Sequence, residues 1–492
     1  MSEPMRGSNS QAAQAGASAL AEPSFVGARF HELFVWYLAD PNRPALVGRL
    51  APAVAPSGVS LTYAPSWLQE GFALSADMPL LGANAGEPYR PHDKGQAAGA
   101  VNDARPDRWG EAVIRYVVKP KDTSLMGHLY FAGEDRFGAL GVSTSADQYL
   151  PFRQGPMPRL ESLGVLRDAV STIAQGGRDA LTQVQRQVAS RGGSLGGAKP
   201  KGLITMEGRE WIIKFFNNEP YDLPLIEHAA MTLAKTAGIR VASTRPIALV
   251  GETALAVLRF DRLAHGARLP AQRIHCLSAA TALRAANVGS AGGAMAAAFG
   301  YPALALLLQQ VGPQSASERG AQIVELFRRM VFNILIGNTD DHERNHVLMR
   351  VPEPGRASGR LRRAAALGVD APASLCLSPA FDVLPSNSGQ GHHEFLIGDD
   401  AGDPSLDNAF SQCALFGLTR AQAAKEAQRV VRVVNGWRAH FSACGVSSAD
   451  LALLDEVIDD PALKQQRAAF NTRVAARPAA APVPAAGQRF RR

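Results

Sequence analysis

The chain has 492 residues, 46% of them apolar, which is long enough for two or three packed units and too rich in Val, Leu, Ile and Phe for disorder throughout. A net charge of +7 would suit a polyanionic partner, but the basic residues are scattered, and net charge alone does not mark a nucleic-acid-binding surface. Four cysteines, Cys276, Cys376, Cys413 and Cys444, lie far apart with no CxxC pair, so neither a disulfide scaffold nor a zinc knuckle is indicated and the cytoplasm is the expected compartment.

Residues 1–24 are small and polar, without the cationic start and apolar run of a secretory signal, and predict a flexible leader. From 25 to 165 the chain reads as strand-like and turn-rich ("ALVGRLAPA", "VSLTYAPSWL", "FGALGVSTS"), interrupted by a loop-like "RPHDKGQAAGAVNDARPDRWG". "LESLGVLRDAVSTIAQ" predicts a helix leading into a Gly-rich turn at 192–197, followed by a strand pair, "GLITMEG" and "EWIIKFF". Beyond about 270, Ala and Leu in helical spacing dominate. The uncharged run 289–312 has membrane length, but Pro302 stands within it. A buried helical pair interrupted at Gly300-Tyr301-Pro302 is expected there, and no membrane span. The end of the chain, 475–492, gathers Arg with Pro and Ala and predicts a disordered basic tail.

One stretch concentrates chemistry. "AQIVELFRRMVFNILIG" carries Ile323, Leu326, Phe327, Met330, Val331, Ile334 and Leu335, the apolar stripe of an amphipathic helix, and Gly337 ends it. The polar loop "GNTDDHERN" follows, then "HVLMRV" and "ASLCLS" as a hairpin, then Asp382 in "PAFDVLPS". Buried helix, polar loop, hairpin and aspartate in that order match the catalytic half of a protein-kinase-like fold. In that fold a loop Asp orients the attacking hydroxyl, an Asn five positions later binds a metal, and a later Asp binds the metal bridging the phosphates. Asp340 and Asn345 have this separation, and Asp382 fills the third place. Hard Mg²⁺ takes oxygen ligands, which suits these residue types.

The nucleotide half is expected upstream. Gly192, Gly193, Gly196 and Gly197 supply a Gly-rich turn, and Lys199 and Lys201 follow it. Lys214 stands among Trp211, Ile212, Ile213, Phe215 and Phe216, where a phosphate and a helix carboxylate, Glu227, would partner it. The plainer reading makes Lys214 the solvent-facing residue of an edge strand. Glycines at this spacing also occur in many turns.

Taken together, "LGGAKPK", "WIIKF", "EHAAMTLAKTAGI", "RFDR", "GNTDDHERN" and "LSPAFDVLP" resemble the HipA-family serine/threonine kinases, the toxins of bacterial toxin-antitoxin pairs. "LVGRL", "ALSADMPLL", "PDRWG" and "GALG" are similar to the small subdomain that precedes the kinase core in that family. The resemblance implies an α+β, two-lobed protein-kinase-like core with a β-rich N-terminal subdomain (25–165), an N-lobe (166–270) and a mostly helical C-lobe (271–474). It implies ATP and Mg²⁺ as cofactors, Asp340 as catalytic aspartate, Asn345 and Asp382 as metal ligands, and Lys214, Lys201, Gly196 and Gly197 on the phosphates. Leu258, Phe260 and Asp261 would form the adenine hinge, with Leu258 where many relatives carry Glu. Ser194 would be an autophosphorylation site that switches the enzyme off. The implied partners are a HipB-like helix-turn-helix antitoxin, with DNA reached mainly through it, and a protein substrate, for the best-known relatives an aminoacyl-tRNA synthetase.

Plainer roles are expected for the other residues. His342 is read as a structural histidine holding the loop, Asp341 and Glu343 as solvated, and Arg328 and Arg329 as the polar face of their helix. Ser194 by itself is a turn serine. Two other classes remain open: a metal-dependent phosphohydrolase using Asp340, Asp341, His342 and Asp382, and a kinase-like binding module without activity.

Overall fold

The computed structural model describes residues 26–82, 86–177, 180–197, 199–215, 219–263, 271–286, 299–350, 374–386, 389 and 391–475. The leader, nearly all of the basic tail and the first part of the uncharged run 289–312 lie outside the described residues.

The first unit is built on strands β1 (Leu33–Tyr37), β2 (Ala45–Val54), β3 (Ser57–Tyr63), β4 (Gln96–Ala97) and β5 (Leu140–Ser143), ordered β4-β3-β2-β1-β5. Alternation sets their faces: Leu33, Val35, Val47, Leu50, Val59 and Leu61 point into the core. Short helices α1 (Pro65–Glu70), α2 (Arg108–Val113) and α3 (Leu125–Phe131) pack beside it. "APSWL", read as the end of a strand, begins α1, with Pro65 in the first turn, where its missing N–H costs nothing.

A second sheet follows α4 (Leu163–Ala174) and α5 (Gln183–Ala189). It consists of β6 (Lys201–Met206), β7 (Arg209–Lys214), β8 (Thr244–Leu249) and β9 (Glu252–Leu258), ordered β6-β7-β9-β8, with α6 (Leu223–Thr236) against it. β7 is therefore an inner strand, not an edge. Asp222 caps α6 by accepting from the Leu225 N–H at 3.0 Å.

The remainder is mostly helical. α7 (Ala279–Ala286) and α8 (Tyr301–Val311) precede α9 (Ala316–Leu335), and Pro302 lies in the first turn of α8, so it starts that helix instead of interrupting one. The apolar stripe of α9 is buried as the periodicity requires, and Gly337 at φ +68° turns the chain out of the helix. Strands His275–Ser278, Val347–Arg350 and Leu375–Leu377 form a small antiparallel sheet in that order. Helices Leu406–Ser411, Arg420–Val434, Trp437–Ala443, Ser448–Ile458 and Pro461–Ala475 complete this lobe. One apolar core runs from the first sheet through α6 and α9 to the last helices. A second fills the space between α4, β6, β7 and β9, and Trp109 and Val113 of α2 belong to it. No helix among the described residues is long and apolar enough to cross a membrane.

Candidate active site

Lys214 ends β7, and its Nζ donates to both oxygens of Glu227 on α6, at 2.6 and 2.8 Å, and to Asp382 Oδ1 at 2.5 Å. The edge-strand reading therefore does not hold for it. Burial alone would lower the Lys214 pKa, but the Asp382 and Glu227 carboxylates outweigh it and hold the ammonium above its ordinary range. Burial opposes ionisation of Asp382 too, yet Lys214, with Lys201 behind it, keeps that carboxyl well below the usual carboxylate range.

The strand register puts Lys201 directly opposite Lys214 in the β6–β7 pair. Like charges at such a position repel. Lys214 is neutralised by its two carboxylates, whereas Lys201 Nζ makes no hydrogen bond among the described residues. Desolvation and Lys214 together lower the Lys201 pKa to about 8. The turn covers this ammonium closely: a Cβ at Gly197, where φ is +83°, would stand 2.7 Å from Lys201 Nζ.

Asp382 is delivered from the other lobe. Its segment is pinned by the Ala380 N–H donating to Arg240 O (2.7 Å) and the Ala242 N–H donating to Ala380 O (2.8 Å). Asp382 itself has φ +58°, a left-handed conformation that Asp and Asn tolerate better than most residues and that collects at functional sites. Its neighbour Phe381 packs on Phe260 (5.4 Å between ring centres), which packs on Phe137 (6.1 Å).

The loop after α9 carries Asp340 exposed and Asn345 buried. Partial desolvation raises the Asp340 carboxyl, opposed by His342 and reinforced by Asp382. His342 Nδ1 accepts from the Arg344 N–H (3.2 Å), and the Asn345 N–H donates to His342 O (2.9 Å). Asp341 corrects the sequence reading. It is not solvated but 3% exposed, accepting from His346 Nε2 (3.0 Å) and from the Tyr301 hydroxyl, which in turn accepts from Asn333 Nδ2 (2.8 Å). Arg329 is likewise not on a polar face: it is buried and donates to Glu325 (2.5 Å) and Ser378 O (2.6 Å). Arg328 remains half-buried on Glu426.

Two further expectations are modified. Asp261 is 2% exposed, and its carboxylate is fully engaged by Arg259, Arg262 and the Gly138 N–H, so it has no free oxygen edge for a nucleotide. The Leu258 N–H is already taken, donating to Ser243 O (2.9 Å). The Gly-rich segment divides: Ser190–Ser194 forms a short 3-10 helix, with Gly192, Gly193 and Ser194 buried, while Gly196 and Gly197 form an exposed lip. Ser194 Oγ is buried without a hydrogen-bond partner among the described residues.

Tyr301, Asn333 and His346 support the loop, and none of the three was singled out from the sequence. The polar Asn333 within an otherwise apolar helix face was the available signal.

A model of the HipA N-terminal domain matches residues 43–143, and one of the HipA-like C-terminal domain matches residues 193–437. No curated protein matches the chain. Among solved structures, HipA of Shewanella oneidensis MR-1, from a toxin-antitoxin complex with HipB and operator DNA, is similar at 18% identity with a TM-score of 0.54 over 90% of this chain and 96% of that one. The Helicobacter pylori proinflammatory kinase CtkA shows a weaker likeness, at 13% identity and a TM-score of 0.41 over 57% of this chain and 94% of that one, and at that score it bears no argument. The Shewanella likeness shows the two-lobed fold, the two domain models fall in order along the sequence, and the chain belongs to the HipA family.

Proposed function

We propose that this protein is an ATP- and Mg²⁺-dependent kinase acting on a serine or threonine hydroxyl of another protein. The observation that carries the reading is the Lys214–Glu227–Asp382 cluster, with Lys201, which makes no hydrogen bond among the described residues, directly across the strand pair. It is the arrangement that a triphosphate needs: two ammonium groups at one level, one fixed by a helix carboxylate, beside a partly exposed aspartate that is held ionised.

Asn345 and Asp382 offer oxygen donors of the kind a hard divalent cation takes, and they would hold Mg²⁺. The bound ion would draw charge from the phosphate oxygens. Asp340, exposed and with its carboxyl raised, would orient the acceptor hydroxyl and take its proton. Lys214 and Lys201 would bind phosphate oxygens under the Gly196–Gly197 lip, with Glu227 orienting Lys214 and His342 bracing the loop. Main-chain atoms near Phe260 would meet the adenine.

Family membership extends the reading to a growth-arresting cytoplasmic toxin held by a HipB-type helix-turn-helix antitoxin, with DNA reached through that partner. The Shewanella relative's complex with HipB and operator DNA supports this. The substrate class would be a protein such as an aminoacyl-tRNA synthetase. Ser194 would be a self-modification site. A phosphate carries up to two negative charges and has no room at a buried serine, so the modified segment would leave its place and ATP binding would fall.

Incubation with radiolabelled ATP and Mg²⁺ tests the reading. Wild type should label protein, and Asp340→Asn or Asp382→Asn should lose about a hundredfold or more of that transfer. A phosphohydrolase would release phosphate without labelling protein, and a module without activity would do neither. The hydrolase reading is weakened by Asp341, whose carboxylate is engaged by Tyr301 and His346. Ser194 should carry phosphate in active preparations and none in Asp340→Asn protein, as read by mass spectrometry.

A further inference from the structure

The motif "PDRWG", residues 106–110, lies in the first unit, and three of its residues are directed at the Gly-rich segment of the next. Asp107 Oδ2 accepts from the Gly197 N–H at 2.8 Å, and Asp107 Oδ1 accepts from Arg344 Nη1 at 2.7 Å. The Trp109 N–H donates to Gly197 O (3.2 Å) and its indole Nε1 to Lys201 O (2.7 Å). Gly110 permits the approach, since a Cβ there would meet Gly193 O at 2.7 Å and Leu195 O at 2.9 Å.

Asp107 occupies the N-cap of α2, where an aspartate ordinarily accepts from the helix's own N–H groups. Its side chain makes no such bond here. One carboxylate instead ties the lip of the turn to Arg344, which stands between Asp340 and Asn345. The pair spans 237 positions in sequence, so local structure does not explain it.

We infer that Asp107 is a positioning residue, a latch by which the first unit sets the Gly196–Gly197 lip over Lys201 and couples that lip to the catalytic loop. The latch's effect on turnover rests on the kinase reading; its effect on the turn does not. Because the lip covers the ammonium proposed to take phosphate, losing the latch should weaken ATP binding more than the chemical step. A charge-assisted hydrogen bond of this kind corresponds to about a tenfold change in affinity.

The test uses the full chain. Asp107→Ala should raise the KM for ATP about tenfold and change kcat much less. Asp107→Asn keeps an acceptor for the Gly197 N–H but drops the ion pair, so it should fall between. Arg344→Ala should resemble Asp107→Asn, and combining the two should add little. Hydrogen exchange at the Gly197 amide without nucleotide reads the latch separately: Asp107→Ala should exchange about tenfold faster, while Asp340→Asn should match wild type. Unchanged exchange in Asp107→Ala overturns the latch, as does a lower Tm with an unchanged KM. If Asp340→Asn still transfers phosphate, the kinase reading fails, and the exchange result alone decides the latch.

Discussion

At the scale of single residues, the site is governed by how two facing ammonium groups share their carboxylates. Lys201 and Lys214 face each other across one strand pair, and among the described residues only Lys214 hydrogen-bonds to carboxylates. The Lys201 pKa, lowered to about 8 from an ordinary 10.5, gives a definite pH dependence. Between these values the unfolded chain holds more of this proton than the folded one. The burden of a charged Lys201 on stability is therefore full below about pH 8 and is relieved as pH rises toward 10.5. Arriving phosphates favour the charged form, so ATP binding should take up a proton just above pH 8, and affinity should fall as pH rises through that window. Calorimetric titration at pH 8.5 in buffers of different ionisation enthalpy measures the uptake, and Lys201→Met should abolish it. Lys214→Ala should weaken ATP binding or turnover as well. Asn suits position 382 as a test because it tolerates the left-handed backbone there while removing the charge.

Elements place these residues, and their ends matter more than their middles. α9 supplies a rigid buried rod, and Gly337 at φ +68° releases the chain so that Asp340 is exposed while Asp341 turns inward. A Cβ at Gly337 would meet Val457 Cγ1 at 2.9 Å, in a conformation that L side chains resist. Gly337→Ala should therefore cost about 1–2 kcal/mol in denaturant unfolding and reduce phosphate transfer beyond what that loss explains. The buried Arg329 joins α9 to the strand that leads to Asp382 through Ser378 O. Arg329→Ala leaves Glu325 with one of its two arginines, and about 3 kcal/mol of destabilisation is expected in the same measurement.

Across the whole molecule, the first unit is fastened to the lobe that follows it. Asp261 gathers Arg259, Arg262 and the Gly138 N–H into one buried knot, which fastens the end of β9 to the stretch before β5. Asp261→Ala would leave two buried guanidinium groups short of a counter-charge. A loss of about 3–5 kcal/mol is expected in thermal or denaturant unfolding, without a specific change in ATP affinity. Trp109 and Val113 also fill the core beneath the second sheet. A chain begun after residue 150 would expose that core, and it should be recovered in aggregates where the full chain stays in solution.

The sequence by itself determined what periodicity and spacing can carry. The stripe of α9, the β6–β7 pair, the stop at Gly337 and the five-residue step from Asp340 to Asn345 were all legible, because each depends on neighbours a few positions apart. The buried state of Asp341 and Arg329 was not, since a polar residue looks the same in sequence whether it meets water or a partner. Tyr301 became the partner of Asp341 only when α8 packed against the end of α9, and Arg329, though one turn from Glu325 on its own helix, is buried only because Ser378 and its strand close over it. Lys214 could be read as an edge lysine until strand order placed β7 inside its sheet and brought Asp382 to it from 168 positions away. Asp107 and Arg344 are farther apart still. Local pattern fixes which face of an element is apolar, and only the packing of the lobes decides which charges meet across it.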